Sequence, residues 1–411
     1  MQPRLRFKFH NSKEYENFLI SNIRSEKLSN GVFNDPRKVG SGYKLINVSD
    51  MYIETTIDDR SLSQISLSKK EFETNKVYCE DIFFTRSSLV KEGIAHSNIY
   101  LGKSDGITFD GHLIRLRVNT EIVYPLYLHY LLKTHFLRRQ LIKGGKTTTM
   151  TTIGQADIDA VELYIPKIEE QTKIASFLSA IDEKITQLTK KHKLLTQYKK
   201  GAMQKIFNQE LRFKADDESD YPDWSICFLK DILESIGSGG TPKSTNLDYY
   251  NGGIPWVSIT DMTEQGKFIV KTKKTLSENG LKNSSARLFP AGTVLYAMYA
   301  SIGEVSIASL EVTTSQAILG IQPNSNNLVN EYLYHWLVSI KDKVVLMGQQ
   351  GTQSNLNLDI VKHFKLPLPV KTEQTKIANF LSAIDEKINN TQFQLEASKK
   401  YKQGLLQQMF V

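Results

Sequence analysis

Several short patterns in this sequence resemble those that enzymes use, and each is incomplete. Asp182-Glu183-Lys184 and Asp385-Glu386-Lys387 have the D-x-K spacing of nuclease sites, but their surroundings predict helix and offer no convincing upstream acidic partner. A solvated helix face is the favoured interpretation. Gly145-Lys146-Thr147 ends like a phosphate-binding loop, yet position 140 is a glutamine where such a loop requires glycine. The residues therefore predict no catalytic site.

Metal and disulfide chemistry is equally poorly supported. The eight histidines show no H-E-x-x-H or related ligand spacing. The two cysteines, Cys79 and Cys227, exclude a disulfide framework and a cysteine-based zinc site, and they favour a reducing compartment. No run of about 18 apolar residues is present, and the first residues lack the apolar region of a signal peptide. We expect a cytoplasmic chain with no membrane span.

The charge balance and two loops suggest binding to a polyanion instead. Lys and Arg number 52 against 44 Asp and Glu, which gives 52 − 44 = +8. This excess favours nucleic acid only weakly. Residues 143–149 form a predicted loop rich in Lys and Thr, which suits phosphate oxygens, and residues 348–355 form one rich in Gln and Asn, which suit adenine edges. Taken alone, plain turns explain both loops as well.

The sequence is an internal repeat. Residues 170–185 read EQTKIASFLSAIDEKI, and residues 373–388 match them at fifteen of sixteen positions with an offset of 203. A second repeat, Leu-Arg-Phe-Lys, occurs at residues 5–8 and 211–214. The regions between these segments differ strongly. We expect two copies of one unit, each with a variable part used differently and a similar part used identically; a recent partial duplication is the alternative.

The similar segments predict long helices. Each follows a proline, Pro166 or Pro369, and its apolar residues recur at the three- and four-residue steps of a coiled coil. A helix of about 38 residues would be ~57 Å long at ~1.5 Å per residue, which corresponds to roughly 17 base pairs of DNA. Packed antiparallel, the pair would hold the variable parts apart; a plain helical hairpin without a spacing role is the alternative.

The variable parts predict mixed structure. Strands are expected at residues 82–84, 113–118, 293–296 and 317–321, and helices at residues 126–137 and 331–339. The predicted fold class is α+β, with two globular domains separated by two long antiparallel coiled-coil helices and related by an internal pseudo-twofold repeat. The predicted boundaries are residues 1–165 and 211–368 for the globular domains, and residues 166–210 and 369–411 for the helical spacers.

Together these residues resemble a known family. Pro166 with Glu170-Gln171, and Pro369 with Glu373-Gln374, head a segment similar to that of specificity subunits of type I restriction–modification systems. Gly240-Thr241-Pro242, Gly253-Ile254-Pro255-Trp256 and Ser315-Gln316 resemble motifs of the second domain in that family. The first variable region departs from the pattern, with Gly42-Tyr43-Lys44-Leu45 in place of the Gly-Ile-Pro-Trp run.

The resemblance implies a DNA reader and scaffold that is not itself an enzyme. Each variable region would be a target-recognition domain for one half of a bipartite, asymmetric site in double-stranded DNA. The helices would fix the unspecified spacer and dock two modification subunits, which use S-adenosylmethionine to methylate adenine. Two restriction subunits, which use ATP and Mg, would complete a host-defence complex. This chain itself would bind no cofactor and no metal.

Two sets of site residues follow from this interpretation. Lysines would position the DNA backbone, while Arg, Gln, Asn and Tyr side chains would read base edges. The expected DNA-binding residues are Lys38, Tyr43, Arg86, Lys143, Lys146, Thr147, Thr148, Lys243, Ser244, Tyr299, Gln349, Gln350, Thr352, Gln353 and Asn355. The expected docking and spacer residues are Glu170, Gln171, Phe177, Leu178, Ile181, Ile185, Glu373, Gln374, Phe380, Leu381, Ile384 and Ile388.

Two other classes of protein are alternatives to this interpretation. A coiled-coil adaptor that binds only proteins would show no sequence-selective DNA binding. A nuclease using the D-x-K residues would cut DNA by itself with a metal ion.

Overall fold

The computed structural model describes residues 3–6, 15–33, 35–147, 149–350 and 356–410. For residues 347–350 it describes the backbone only. The chain divides into two compact units. Unit 1 comprises Met1–Lys190 with Gln392–Val411, and unit 2 comprises Lys191–Thr391.

Unit 1 combines short strands with helices. Its strands are β1 (Glu16–Leu19), β2 (Ser29–Asn30), β3 (Val39–Ile46), β4 (Ser63–Ile65), β5 (Ile82–Thr85), β6 (Ser87–Ser88), β7 (Ser97–Ile99), β8 (Ile107–Phe109), β9 (Leu113–Leu116), β10 (Lys146–Thr147), β11 (Thr151–Thr152) and β12 (Glu162–Ile165). Its short helices are α1 (Ile20–Ile23), α2 (Lys69–Thr74), α3 (Pro125–Leu131), α4 (His135–Gly144) and α5 (Gln155–Asp159), with 3-10 turns at Pro36–Lys38, Val48–Tyr52 and Lys91–Gly93. The first long helix, α6 (Ile168–Phe207), begins here and continues into unit 2.

Unit 2 repeats this plan. Its strands are β13 (Ser225–Phe228), β14 (Leu233–Ser238), β15 (Tyr250–Val257), β16 (Phe268–Ile269), β17 (Lys274–Leu276), β18 (Val294–Ala297), β19 (Val305–Ala308), β20 (Thr313–Thr314), β21 (Ile318–Pro323) and β22 (Lys365–Leu368). Its helices are α7 (Ile259–Gln265), α8 (Glu278–Lys282), α9 (Asn330–Gln350) and α10 (Leu358–Lys362), with 3-10 turns at Leu229–Ile232 and Leu247–Tyr249. The second long helix, α11 (Lys371–Met409), begins in unit 2.

Equivalent sheets form the cores of the two units. Unit 1 has sheets in the order β2-β9-β5-β7 and β4-β3-β8, and unit 2 has β14-β21-β18-β19-β16 and β17-β15-β20. The central strands β5 and β18 are mostly apolar and are buried along their whole length, as expected for strands covered on both faces. In each unit a short antiparallel pair, β1-β12 or β13-β22, leads to the start of a long helix.

The apolar stripes of the long helices pack into these cores. In unit 1, Ile174 and Leu178 of α6 share one buried cluster with Leu405 and Met409 of α11. In unit 2, Ile206 joins a cluster that contains the corresponding α11 positions, among them Ile377, Leu381 and Ile384. The predicted coiled-coil spacing is therefore used twice, once in each core.

The predicted fold class, α+β with two long helices and an internal repeat, is confirmed. The long helices contain 40 and 39 residues. The helix expected over residues 126–137 is in fact two helices, because α3 ends at Leu131 and α4 begins at His135, with Thr134 at its N-cap position. The helix expected over residues 331–339 extends to Gln350.

Candidate nucleic-acid interface

In unit 1, a small three-stranded sheet gathers several of the expected DNA-binding residues. Strand β10, which carries Lys146 and Thr147, pairs with β11, and β11 pairs with β6, whose first residue follows Arg86. Lys143 lies in the last turn of α4, just before this sheet. These four side chains are exposed. No ion pair to any of the three cations occurs within the described ranges, so their charge remains available to phosphate or to base edges.

Lys38 ends the 3-10 turn at Pro36–Lys38 and Tyr43 lies in β3, so neither belongs to that small sheet. Lys38 is exposed and lies 3.9 Å from the carboxylate of Glu71, which is a weak contact. The Tyr43 ring stacks on Phe72 with 3.8 Å between centroids and nearly parallel planes. One face of the Tyr43 ring is therefore occupied by packing against Phe72.

The two expected loops are only partly loops. Lys143 and Gly144 are helical, and Lys146 and Thr147 are a strand. Gln349 and Gln350 end helix α9, so the prediction of a loop was wrong there; their side chains lie outside the described part. Thr148, Thr352, Gln353 and Asn355 also lie outside the described residues.

In unit 2, the three motif segments named above meet. The Trp256 indole N–H donates to the Gly240 carbonyl at 3.0 Å, and the Gly240 N–H donates to the Thr314 carbonyl at 2.9 Å. The Tyr250 hydroxyl closes the Gly240-Thr241-Pro242 turn by donating to the Pro242 carbonyl at 2.7 Å. This turn presents the next two residues, Lys243 and Ser244, to solvent.

Tyr299 is half-buried and packs against the main apolar cluster of unit 2. Of the three expected DNA contacts in this unit whose side chains are described, two are therefore exposed. Sequence reasoning did not single out Arg287, which is exposed beside the same turn.

Glu170 and Gln171 fasten the start of α6 to unit 1. Arg6 binds the Glu170 carboxylate through Nη2 at 2.6 Å and Nε at 2.9 Å. The Gln171 side chain accepts from the Tyr124 N–H at 2.8 Å and donates to the carbonyls of Ile122 at 3.0 Å and Pro166 at 2.8 Å. We call Arg6, Glu170 and Gln171 the first clasp.

Unit 2 contains the same arrangement. Arg212 binds Glu373 through Nη2 at 2.9 Å and Nε at 3.2 Å, and the Trp224 indole N–H donates to Glu373 at 2.9 Å. Gln374 accepts from the Val329 N–H at 2.9 Å and donates to the carbonyls of Asn327 at 2.8 Å and Pro369 at 2.9 Å. Arg212, Glu373 and Gln374 form the second clasp. Both clasps join the Leu-Arg-Phe-Lys repeat to the Glu-Gln repeat.

Several of the expected docking and spacer residues are buried within this chain. Glu170, Gln171, Glu373 and Gln374 are at most 2% exposed, so their side chains offer no surface to another chain. Leu178, Leu381 and Ile384 are likewise buried in their own units. Of the twelve expected residues, those that remain half-buried are Phe177, Ile181, Ile185, Phe380 and Ile388.

Other apolar side chains on the long helices are more exposed and were missed. Leu194 and Tyr198 of α6 are 54% and 57% exposed, and Phe393 and Tyr401 of α11 are 73% and 56% exposed. Their helical spacing was visible in the sequence, but spacing alone does not say which apolar stripe faces the core.

The D-x-K aspartates make ion pairs between the helices. Asp182 lies 2.5 Å from Lys402 in unit 1, and Asp385 lies 2.5 Å from Lys199 in unit 2. Asp182 also accepts from the Tyr130 hydroxyl at 2.8 Å. This supports the helix-face interpretation. Among the residues with described positions, no group of three or more His, Cys, Asp or Glu is placed to hold a metal ion.

Buried histidines accompany these helix contacts. His335 on α9 is fully buried, and its Nε2 lies 3.2 Å from the Ser382 hydroxyl. Burial, with Lys199 and Lys267 nearby, lowers the pKa of His335 to about 2. In unit 1, burial likewise holds the pKa of His129 well below its usual value. Both rings are neutral at ordinary pH.

Comparisons with known proteins agree with this geometry. The family described as type I restriction modification DNA specificity domain matches residues 26–197 and again residues 221–398. A chain assigned as the specificity subunit of the MjaX type I restriction enzyme of Methanocaldococcus jannaschii is 25% identical over 394 residues, which are 93% of this chain and 89% of that one.

Two solved structures share the fold. The type I restriction–modification S subunit from M. genitalium aligns with a TM-score of 0.63 and 15% identity, over 100% of this chain and 99% of that one. A chain from a structural study of complex assembly and conformational transition in the type I system aligns with a TM-score of 0.56 and 16% identity, over 97% of both chains.

The chain belongs to the family of type I restriction–modification specificity subunits, and it carries two DNA specificity domains. In this family the specificity subunit supplies DNA recognition rather than catalysis. None of the described helices is both long enough and apolar enough to cross a membrane.

Proposed function

We propose that this chain reads a bipartite, asymmetric DNA target, with one half-site bound by each unit. The observation that carries the proposal is the contrast between like clasps and unlike exposed surfaces in two matches to one DNA specificity domain. A DNA-binding domain duplicated only for stability would not need two unlike exposed surfaces on two like clasps. Two different readers on a common scaffold would produce it.

In unit 1, Arg86, Lys143, Lys146 and Thr147 form the proposed reading surface. Lysines contact phosphates and fix the position of the duplex, while Arg86 reaches a base edge. Three cations on adjoining elements, none of them paired with a described carboxylate, support this assignment. Lys38 and Tyr43 remain further proposed DNA contacts of this unit.

In unit 2, the exposed residues Lys243 and Ser244, together with the half-buried Tyr299, take the corresponding role. Thr148 in the first unit and Gln349, Gln350, Thr352, Gln353 and Asn355 in the second remain proposed DNA contacts on composition alone. Gln and Asn side chains there suit the paired donor and acceptor of adenine.

The proposed partners are two modification subunits and two restriction subunits. The exposed apolar residues of the long helices, Leu194, Tyr198, Phe393 and Tyr401, support docking of the modification subunits, because such side chains on a helix face favour a partner helix. S-adenosylmethionine would bind to the modification subunits, and ATP and Mg to the restriction subunits.

Co-expression with the cognate modification subunit, followed by genome-wide mapping of methylated adenine, tests this function. We expect methylation at one motif made of two unlike specified parts around an unspecified spacer. Replacing Arg86 with Ala should change one part only. An intact complex that methylates no defined motif, or a change in both parts with Arg86→Ala, would contradict the assignment.

A further inference from the structure

Unit 2 contains only two arginines, and they are used differently. Arg212 is held by the Glu373 carboxylate in the second clasp. Arg287 is exposed and, across the described ranges, has neither a carboxylate partner nor a hydrogen bond. Its guanidinium is therefore the one in this unit that remains available for a ligand.

Two glycines and an aromatic ring hold the Arg287 side chain. Gly237 of β14 and Gly320 of β21 are direct partners in the sheet register. A Cβ on Gly237 would lie 1.3 Å from Nη2 of Arg287, and a Cβ on Gly320 would lie 2.3 Å from the Phe289 ring. The guanidinium carbon lies 5.1 Å from the centroid of that ring. Because neither glycine has a side chain, the sheet leaves room for the Phe289 ring and for the Arg287 guanidinium that lies against this ring.

This arrangement restricts a side chain that is usually mobile on a protein surface. Phe289 is 2% exposed, so the ring that supports the guanidinium is fixed by the core. Cation–π attraction favours the guanidinium over the ring face. An arginine held in place before binding loses less conformational entropy when it forms two directed hydrogen bonds.

Arg287 lies beside the turn that carries Lys243. A Cβ on Gly240 would lie 2.3 Å from the backbone N of Ala286, so the segment leading to Arg287 rests on the Gly240-Thr241-Pro242 turn. Arg287 therefore lies next to the surface proposed above to face DNA.

We propose that Arg287 reads a guanine in the half-site bound by unit 2, donating two parallel hydrogen bonds to O6 and N7. The planar guanidinium matches this acceptor pair, and the arginine–guanine contact is the commonest specific contact in the major groove. The inference rests on the proposed DNA-reading function. A phosphate contact is the competing use of the same charge, and it would carry no base preference.

Selection of the full-length chain against a library of randomised DNA duplexes tests the proposal. The wild-type chain should enrich a two-part motif that includes a guanine. Arg287→Lys keeps the positive charge but removes the two parallel N–H donors of the guanidinium. The variant should therefore lose about 10- to 100-fold of the preference for guanine at one position of the motif. Arg86→Lys, the matched change in unit 1, should affect only the other part of the motif.

Two further variants separate reading from folding. Gly237→Ala adds an atom where the guanidinium lies, so it should relax the same position while Arg287 is still present. Arg60→Lys changes an exposed arginine that is already paired with Asp58, and should leave the motif unchanged. Tryptophan fluorescence of each variant confirms that unit 2 is folded; Arg287→Lys decides the question if Gly237→Ala does not fold.

Several results would overturn the assignment of Arg287. An unchanged motif with Arg287→Lys would show that the residue does not read bases. Uniform weakening by Arg287→Ala for all sequences, with the salt dependence reduced by about one phosphate, would identify a backbone contact instead. A two-part motif in which the Arg86-independent part lacks guanine would also overturn it. Failure of the wild-type chain to enrich any sequence would contradict the proposed function as well.

Discussion

Units 1 and 2 use the same residues to hold their long helices and different residues on their exposed surfaces. Glu170 and Glu373 each receive an arginine, and Gln171 and Gln374 each bond one N–H and two carbonyls at matching positions. Because the two glutamates and the two glutamines are at most 2% exposed, replacing any of them would leave unpaired polar groups in the interior. The clasp therefore tolerates little divergence.

The core sheets show how the surfaces can diverge. Arg115 of β9 lies opposite Phe83, and its counterpart in β21 is Gly320, opposite Leu295. Arg115 is buried and paired with Glu26 at 2.9 Å, whereas Gly320 leaves room for Phe289 and Arg287. The same strand position thus carries a buried arginine paired with an exposed glutamate in unit 1, and a glycine that leaves room for an exposed arginine in unit 2. A different residue at this position therefore changes the exposed surface of the unit while the strand pairing stays the same.

Breaking a clasp should have the largest effect on stability. Glu373→Ala removes a carboxylate that is fully buried and leaves Arg212 and Trp224 without their shared acceptor, so we expect a loss of about 3 kcal/mol. All three tryptophans lie in unit 2. Urea unfolding followed by tryptophan fluorescence therefore measures this unit.

The matched change in unit 1 tests whether the clasps act locally. Glu170→Ala should lower the unfolding midpoint seen by circular dichroism and leave the fluorescence midpoint nearly unchanged. Glu386→Ala, an exposed position on α11, serves as the control. If Glu170→Ala shifted the fluorescence midpoint as much as Glu373→Ala does, the clasps would stabilise the molecule as a whole rather than their own units.

Removing the amide of the clasp should have a somewhat smaller effect. Gln374→Ala leaves the Val329 N–H and the Asn327 and Pro369 carbonyls without this partner, and we expect a loss of about 2 kcal/mol in the same fluorescence assay. Glu386→Ala, exposed on the same helix and within unit 2, is again the control. A loss with Gln374→Ala no larger than that of the control would mean that water replaces the amide.

The buried histidine of unit 2 should make its stability depend on pH. The folded pKa of His335 is about 2, while the unfolded ring titrates near its ordinary value of about 6.5. Below about pH 6.5 the unfolded state therefore takes up a proton that the folded state refuses, and stability falls as pH falls. Between pH 6.5 and 5 the loss approaches about 2 kcal/mol.

His335→Gln isolates this contribution. Fluorescence-detected unfolding of the wild type and the variant at pH 7.5 and pH 5 should show a smaller pH-dependent loss in the variant. Equal losses in the two proteins would mean that other groups carry the pH dependence.

The sequence allowed the scaffold to be predicted better than the contacts. The repeat, the long helices and the strands around residues 82–84 and 293–296 followed from identity and apolar spacing, and the structure contains them. The clasps could not be predicted from the sequence, because Arg6 is 164 positions from Glu170. A repeated Glu-Gln pair on a helix is also equally suited to docking another subunit. Arg287 was missed because its support comes from Gly237 and Gly320, which are neighbours only in the folded sheet.

The smallest predicted effect concerns charge rather than sequence reading. Lys146→Ala removes one unpaired cation from the sheet beside Arg86, so binding to every duplex should weaken by a similar, few-fold factor at ~0.15 M salt. The slope of log affinity against log salt should become shallower by about one unit, and the enriched motif should stay unchanged. Lys243→Ala should do the same from unit 2. Loss of preference at a base position with either lysine variant would show that the two units differ in which cations read bases, and not only in where their arginines lie.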